Sequence, residues 1–167
     1  MPDGTRIQLS EADRQLLECF HHGLFQQSLV ERQLLKVGSV IGRAFTREIL
    51  LGCNPNLTEH ECDETLVTLL DREFILPDPS PGGEYMFKHV LVADTIYRTL
   101  LKRERKELHG LVALTIEKLF AGHLENQVDV LARHYFYSDY SERALHYLIL
   151  AGQKSARSYN SSQAQKY

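Results

Sequence analysis

A mainly α-helical fold in two parts is what the sequence predicts: three short helices closed by a β-hairpin, then an antiparallel helical array. Three observations predict it. The prolines are uneven, at Pro2, Pro55, Pro77, Pro79 and Pro81, so the 86 residues from Gly82 to Tyr167 permit long uninterrupted helices. Capping residues and apolar stripes at helical spacing recur before Phe74 and again after His89. Between them, two β-prone runs flank a turn-rich loop. The 167 residues are 43% apolar and 25% charged, with a formal charge of −3, which excludes disorder along the whole chain. No apolar run approaches the ~18 residues of a membrane span, and no secretory segment follows Met1, so a cytoplasmic chain is expected. Three cysteines (Cys19, Cys53, Cys62) at unmatched spacings fit a reducing compartment.

The elements follow in order. Ser10 precedes Glu-Ala-Asp and then Leu16, Leu17 and Phe20, an N-cap and apolar spacing that predict a short helix. From Leu34 to Ile41 the apolar residues lie on one helical face, with Gly42 as the stop and Gly38 marking close backbone packing. Thr46 caps a second short helix, Arg47 to Leu51, ending at Gly52. Thr58 and Glu61 form a capping box, with Leu57 and Cys62 at staple positions. The third helix then carries Cys62, Leu66, Leu69 and Leu70 and ends near Phe74. Phe74–Leu76 and Glu84–Lys88, joined by Pro-Asp-Pro-Ser-Pro-Gly-Gly, predict the hairpin.

Beyond His89 one helix carries Val90, Ala93, Tyr97 and Leu101, and the next carries Leu108, Leu111, Val112, Thr115 and Leu119, closed by Gly122. Val128, Leu131, Ala132 and Tyr135 form a narrow stripe that faces Ala144, Leu148 and Ala151 across a turn at Ser138-Asp139-Tyr140. Among the tyrosines 135, 137, 140 and 147, candidates for packing or peptide contact, Tyr135 has core spacing. A second turn is expected at Tyr159-Asn160-Ser-Ser, after which the pattern stops midway.

The chemistry is defined largely by what is missing. There is no G-x-x-x-x-G-K-[ST] phosphate loop, no G-x-S-x-G elbow and no C-x-x-C pair. His60-Glu61-Cys-Asp-Glu64 begins like a helical zinc motif, but Glu64 stands where the second His belongs, so a solvated acidic helix start is the better reading. Cys19-Phe-His21-His22 likewise lacks a fourth ligand. No metal and no catalytic residue is assigned, and the scattered histidines make no nucleophile–base–orienter set. The segment from Asn56 to Glu84 holds eight acids and one base, Arg72, a balance that repels a phosphate backbone. The basic run Arg98, Lys102, Arg103, Arg105 and Lys106 is interleaved with Glu104 and Glu107, as on a solvated helical face.

Three helices followed by a hairpin is the order of a winged helix, and the paired stripes resemble a tetratricopeptide helix pair, although Val128 stands for the usual Trp and no terminal Pro follows. Leu34-Leu-Lys-Val-Gly-Ser-Val-Ile-Gly-Arg-Ala-Phe-Thr46, Leu69–Ile75 and Phe87–Tyr97 resemble the winged-helix region of STAND-type signalling ATPases. Leu100–His109, Leu131–Tyr135 and Tyr140–Ala144 resemble the link into their repeats, most closely as in multidomain class III adenylate cyclases. The resemblance implies an N-terminal helical extension (1–30), a winged-helix-like domain (31–88), a helical connector (89–122) and the truncated start of tetratricopeptide-like repeats (123–167). It further implies a non-catalytic regulatory segment of a longer protein, with an upstream ATPase module that binds ATP or ADP and an unknown protein partner on the repeats. His89, at the start of the helix after the wing, would be a phosphate sensor completed by that module, with Lys88 adding charge. Some branches have Asp after this His, where this chain has Val90. The bland reading of His89 is a residue that caps its own helix. The alternative function is a DNA-binding winged helix of a transcription regulator, against which the acidic segment weighs.

Overall fold

The structure, a computed structural model, describes residues 28–80 and 82–164. The helix expected after Ser10 and the Cys19–His22 cluster lie outside the described residues. Within them the chain is mainly helical, with a small three-stranded antiparallel sheet.

Helix α1 spans Leu29–Ile41 and starts earlier than the apolar pattern alone indicates, because the Ser28 hydroxyl accepts the Glu31 N–H at 3.1 Å. Leu34, Leu35, Val37, Val40 and Ile41 form its buried face. Gly42 ends it at φ 136°, a conformation that side-chain-bearing residues rarely adopt, while its N–H donates to the Gly38 carbonyl at 3.0 Å. Strand β1 is Ala44–Phe45, and helix α2 is Arg47–Gly52, capped by the Thr46 hydroxyl as expected. Helix α3, Glu59–Asp71, opens with the full Thr58–Glu61 capping box.

Helix α3 stops three residues short of Phe74, and the backbone shows why. Glu73 takes the left-handed conformation at φ 58°, its N–H donating to the Leu70 carbonyl and the Phe74 N–H to that of Leu69. This pair of bonds is a Schellman motif, with Glu73 in the place usually held by Gly. Strands β2 (Ile75–Pro77) and β3 (Tyr85–Phe87) then make the hairpin, in register Ile75↔Phe87 and Pro77↔Tyr85. Strand β1 pairs on the other side of β3, giving the order β1-β3-β2.

The remainder is helical: α4 Val90–Thr99, α5 Lys102–Leu119, a 3₁₀ turn at Leu124–Asn126, α6 Val128–Phe136 and α7 Ser141–Ala164. Three expectations need correction. The buried face of α4 is Val92, Ala93 and Ile96, continued by Leu100, while Val90 (60%) and Leu101 (74%) are exposed. The helix ends at Thr99 and Leu100 is extended, so the stripe cannot continue to Leu101. In α7, Ala144 is buried but Leu148 is exposed, and Tyr147 fills the core position. No turn interrupts Tyr159–Asn160: nothing there removes an N–H or demands positive φ, so the helical ladder runs on to Ala164.

One buried apolar cluster runs from Leu34 on α1 to Tyr147 on α7, so the sheet-bearing part and the helices share a core. They approach closely at Gly52, where a Cβ would stand 2.5 Å from Thr115 Cγ2 on α5. The stripe Val128, Leu131, Ala132 and Tyr135 is buried as expected and packs α6 against its neighbours.

Candidate functional site

His89 holds the N-cap position of α4 (φ −125°, ψ 122°), where the resemblance places it, but its side chain makes no capping hydrogen bond. It is half-buried, as is Lys88. The unexpected neighbour is Glu73. The left-handed turn that ends α3 points its carboxylate at this spot, and Lys88 Nζ donates to Glu73 Oε2 at 2.5 Å. Lys88, through that bond and its charge, and then His89 hold the Glu73 carboxyl below the usual carboxylate range. An incoming phosphate would meet a cation already paired, and would have to displace a carboxylate to use it.

Several charges of the other runs are also paired within the chain. Arg47 on α2 donates to Asp63 at 2.5 Å and to Glu59 at 3.2 Å, and its backbone N–H to Glu84 at 2.7 Å. Hydrogen bonds to Asp63 and Glu59 hold the Arg47 guanidinium more firmly protonated. In the basic run, Arg103 pairs with Glu107, Lys106 with Asp139, and Glu104 accepts from Lys36. Arg105 donates to the Leu100 carbonyl at 3.0 Å and lies over the Tyr97 ring. His60 faces Glu64 at 3.4 Å on exposed helix surface. Among the described residues, no group of three His, Cys, Asp or Glu side chains is placed to hold a metal ion.

Sequence reasoning missed the buried polar junction of the molecule. His109 on α5 and His134 on α6 approach through their Nδ1 atoms at 2.9 Å, and both are buried. His109 Nε2 lies 3.0 Å from the Tyr97 hydroxyl on α4. Arg133 Nη2 lies 3.1 Å from His134 Nε2 and also donates to the Ile41 carbonyl at the end of α1, at 2.5 Å. One line of polar contacts therefore joins α4, α5, α6 and α1. Burial, with the positive charges of Arg133 and Arg105, pushes His109 down to about 4. Burial, Arg133 and His109 push His134 down to about 3. The available signal was weak: His109 directly follows the core residue Leu108, and His134 directly precedes Tyr135.

A second junction sits on the tyrosines. Tyr135 and Tyr147 stack at 5.5 Å in the core, while Tyr137 and Tyr140 remain exposed. Arg143 on α7 donates to the Tyr135 hydroxyl at 2.9 Å and to Glu117 on α5, which also accepts from Tyr147 at 2.7 Å. Burial, and then the bond to Glu117, pushes the Tyr147 phenol up to about 12. Beside this junction, Leu145, Leu148 and Ile149 form an exposed apolar stripe along α7.

No family model matches the chain, and no solved structure matches it. An uncharacterized protein of Rhizobium meliloti (strain 1021) is 25% identical over 132 residues, which cover 78% of this chain and 13% of that protein. The chain thus spans about an eighth of the length of this relative.

Proposed function

We propose that this chain is a non-catalytic regulatory and interaction segment, a winged-helix-like unit joined to tetratricopeptide-like helices, within a STAND-type signalling ATPase of the adenylate cyclase kind. The observation that carries the reading is the shared core, with the Arg133 bond to the Ile41 carbonyl tying the helical array to α1. A unit so joined passes a displacement at α1 or α4 directly to α6 and α7. Three short helices and a β1-β3-β2 sheet support the winged-helix part. The buried Val128-to-Tyr135 stripe facing Ala144 supports the repeat part, and the apolar stripe on α7 is suited to a further helix. The acid-to-base pairing around Arg47 leaves α3 a poor surface for nucleic acid.

In this reading His89 senses the phosphates of ATP or ADP held by an ATPase module preceding it, and Glu73 is the ion that phosphate displaces from Lys88. The test is nucleotide binding and hydrolysis by the full-length protein containing this segment. His89→Ala is expected to weaken nucleotide affinity, and Glu73→Gln to strengthen it. Unchanged affinity and ATPase rate in both variants would end the sensor role.

A further inference from the structure

The contacts of the buried imidazole pair allow one arrangement of protons. Arg133 can only donate, so His134 Nε2 accepts from it and the proton of His134 sits on Nδ1. His134 Nδ1–H then donates to His109 Nδ1, which leaves the His109 proton on Nε2, donating to the Tyr97 oxygen. The reverse order would set an N–H of His134 against an N–H of Arg133. Both rings are consequently neutral, and each ring nitrogen is occupied.

We propose that this pair is an acid-released latch between the helical array and the sheet-bearing unit. A second proton on His134 falls on Nε2 and expels Arg133. A second proton on His109 falls on Nδ1, against His134 Nδ1–H, and is relieved only if His134 moves its own proton to Nε2, which again expels Arg133. Either way the strain reaches the one side chain that also holds the Ile41 carbonyl. Among the described residues, the groups facing the pair offer a new proton no counter-charge: Tyr97 from α4, Arg105 from α5, Arg133 from α6, the Tyr137 ring just past the end of α6, and the Ile41 end of α1 through its backbone carbonyl. The unfolded or opened chain binds these protons more readily than the closed form. Stability is therefore complete above about pH 6.5, the ordinary histidine value, and falls as the pH drops below it. The latch does not depend on the nucleotide reading.

The experiment uses the full chain. Long-range ¹H–¹⁵N spectra at neutral pH are expected to show His134 with its proton on Nδ1 and His109 with its proton on Nε2. Amide exchange measured down the pH scale, corrected for intrinsic rates, is expected to show α6 and the end of α1 losing protection together. The loss should be tenfold to a hundredfold per pH unit below about 6, one factor of ten per proton taken up. Arg133→Met removes both the fixed donor and a positive charge, and should move the titration midpoint of the His134 ring upward by about one pH unit while making the acid loss of protection shallower. Opposite tautomers, ring protons that titrate at the ordinary value while protection persists, or an unmoved midpoint in Arg133→Met would each overturn the latch. If Arg133→Met does not fold, the wild-type tautomers and exchange profile decide alone.

Discussion

The contact between Gly52 and Thr115 joins the two parts of the chain, and a double-mutant cycle can measure it. A Cβ added at Gly52 would stand 2.5 Å from Thr115 Cγ2, far inside carbon–carbon contact, while the other Thr115 atoms within reach, Cβ and Oγ1, lie at an ordinary 3.7 Å. Gly52→Ala gains about 0.5–1 kcal/mol from lost chain entropy at the end of a helix. Against this stands overpacking of about 1–3 kcal/mol, since Thr115 is buried and cannot swing clear, so a net loss of about 1–2 kcal/mol is expected. Thr115→Ser deletes the one clashing methyl and keeps the hydroxyl that Cys53 Sγ reaches at 3.5 Å. Alone it should cost about 1 kcal/mol, the loss of one buried methyl. Together the substitutions should be no worse than Gly52→Ala alone, a favourable coupling of about 1–2 kcal/mol, because the alanine methyl occupies the space the threonine methyl leaves. Urea unfolding followed by far-ultraviolet circular dichroism gives the four free energies. Additivity within about 0.5 kcal/mol would refute the close approach of α2 to α5.

Other parts of the structure give equally direct expectations. Glu73→Gly should raise stability by about 0.5 kcal/mol, because relief of the left-handed backbone exceeds the loss of an exposed ion pair with Lys88; thermal melting of this variant beside Lys88→Ala separates the two contributions. Thr58→Ala removes the hydroxyl of the capping box and should cost about 1 kcal/mol in urea unfolding, with the apolar face of α3 left unchanged. Cys53 is buried, and burial pushes its thiol up to about 11, so alkylation at pH 8 should track unfolding; modification at the rate of a free thiol in the folded protein would contradict its position.

What the sequence disclosed were features decided within four or five residues. Thr46, Gly42 and the Thr58–Glu61 pair announce helix ends, because a cap is a hydrogen bond to its own turn. The stripe from Val128 to Tyr135 was legible because every member sits on one side of one helix. Features that depend on distant partners were not. Strand β1 is two residues long and exists only because Ala44 and Phe45 meet Met86 and Tyr85. The position of His89 at a helix start could be read, but the carboxylate beside it could not, since that depends on Glu73 adopting a backbone conformation that favours glycine. Val90 and Leu101 misled because the same apolar letters fit two helical phases one residue apart, and burial against α1 and β3 selects the other. His109 and His134 are 25 positions apart, and only the packing of α5 against α6 makes them one group.

The two ends of that group are not equivalent, which a last substitution exposes. Tyr97 is half-buried and ends the line as an acceptor, whereas Arg133 starts it as an obligate donor. Tyr97→Phe leaves the His109 Nε2–H without its partner, and should cost about 1 kcal/mol, toward the low end for a buried donor because solvent reaches the tyrosine edge. It should not alter either tautomer, since the order of protons is set from the Arg133 end and nothing at Tyr97 opposes it. Arg133→Met should do the reverse, releasing the order and letting both neutral forms of His134 appear. Imidazole ¹⁵N shifts of the two variants, taken at the same neutral pH, distinguish an ordered line from two independent contacts. If Tyr97→Phe scrambled the tautomers while Arg133→Met preserved them, the direction assigned to the line would be wrong, since a guanidinium has no lone pair with which to accept.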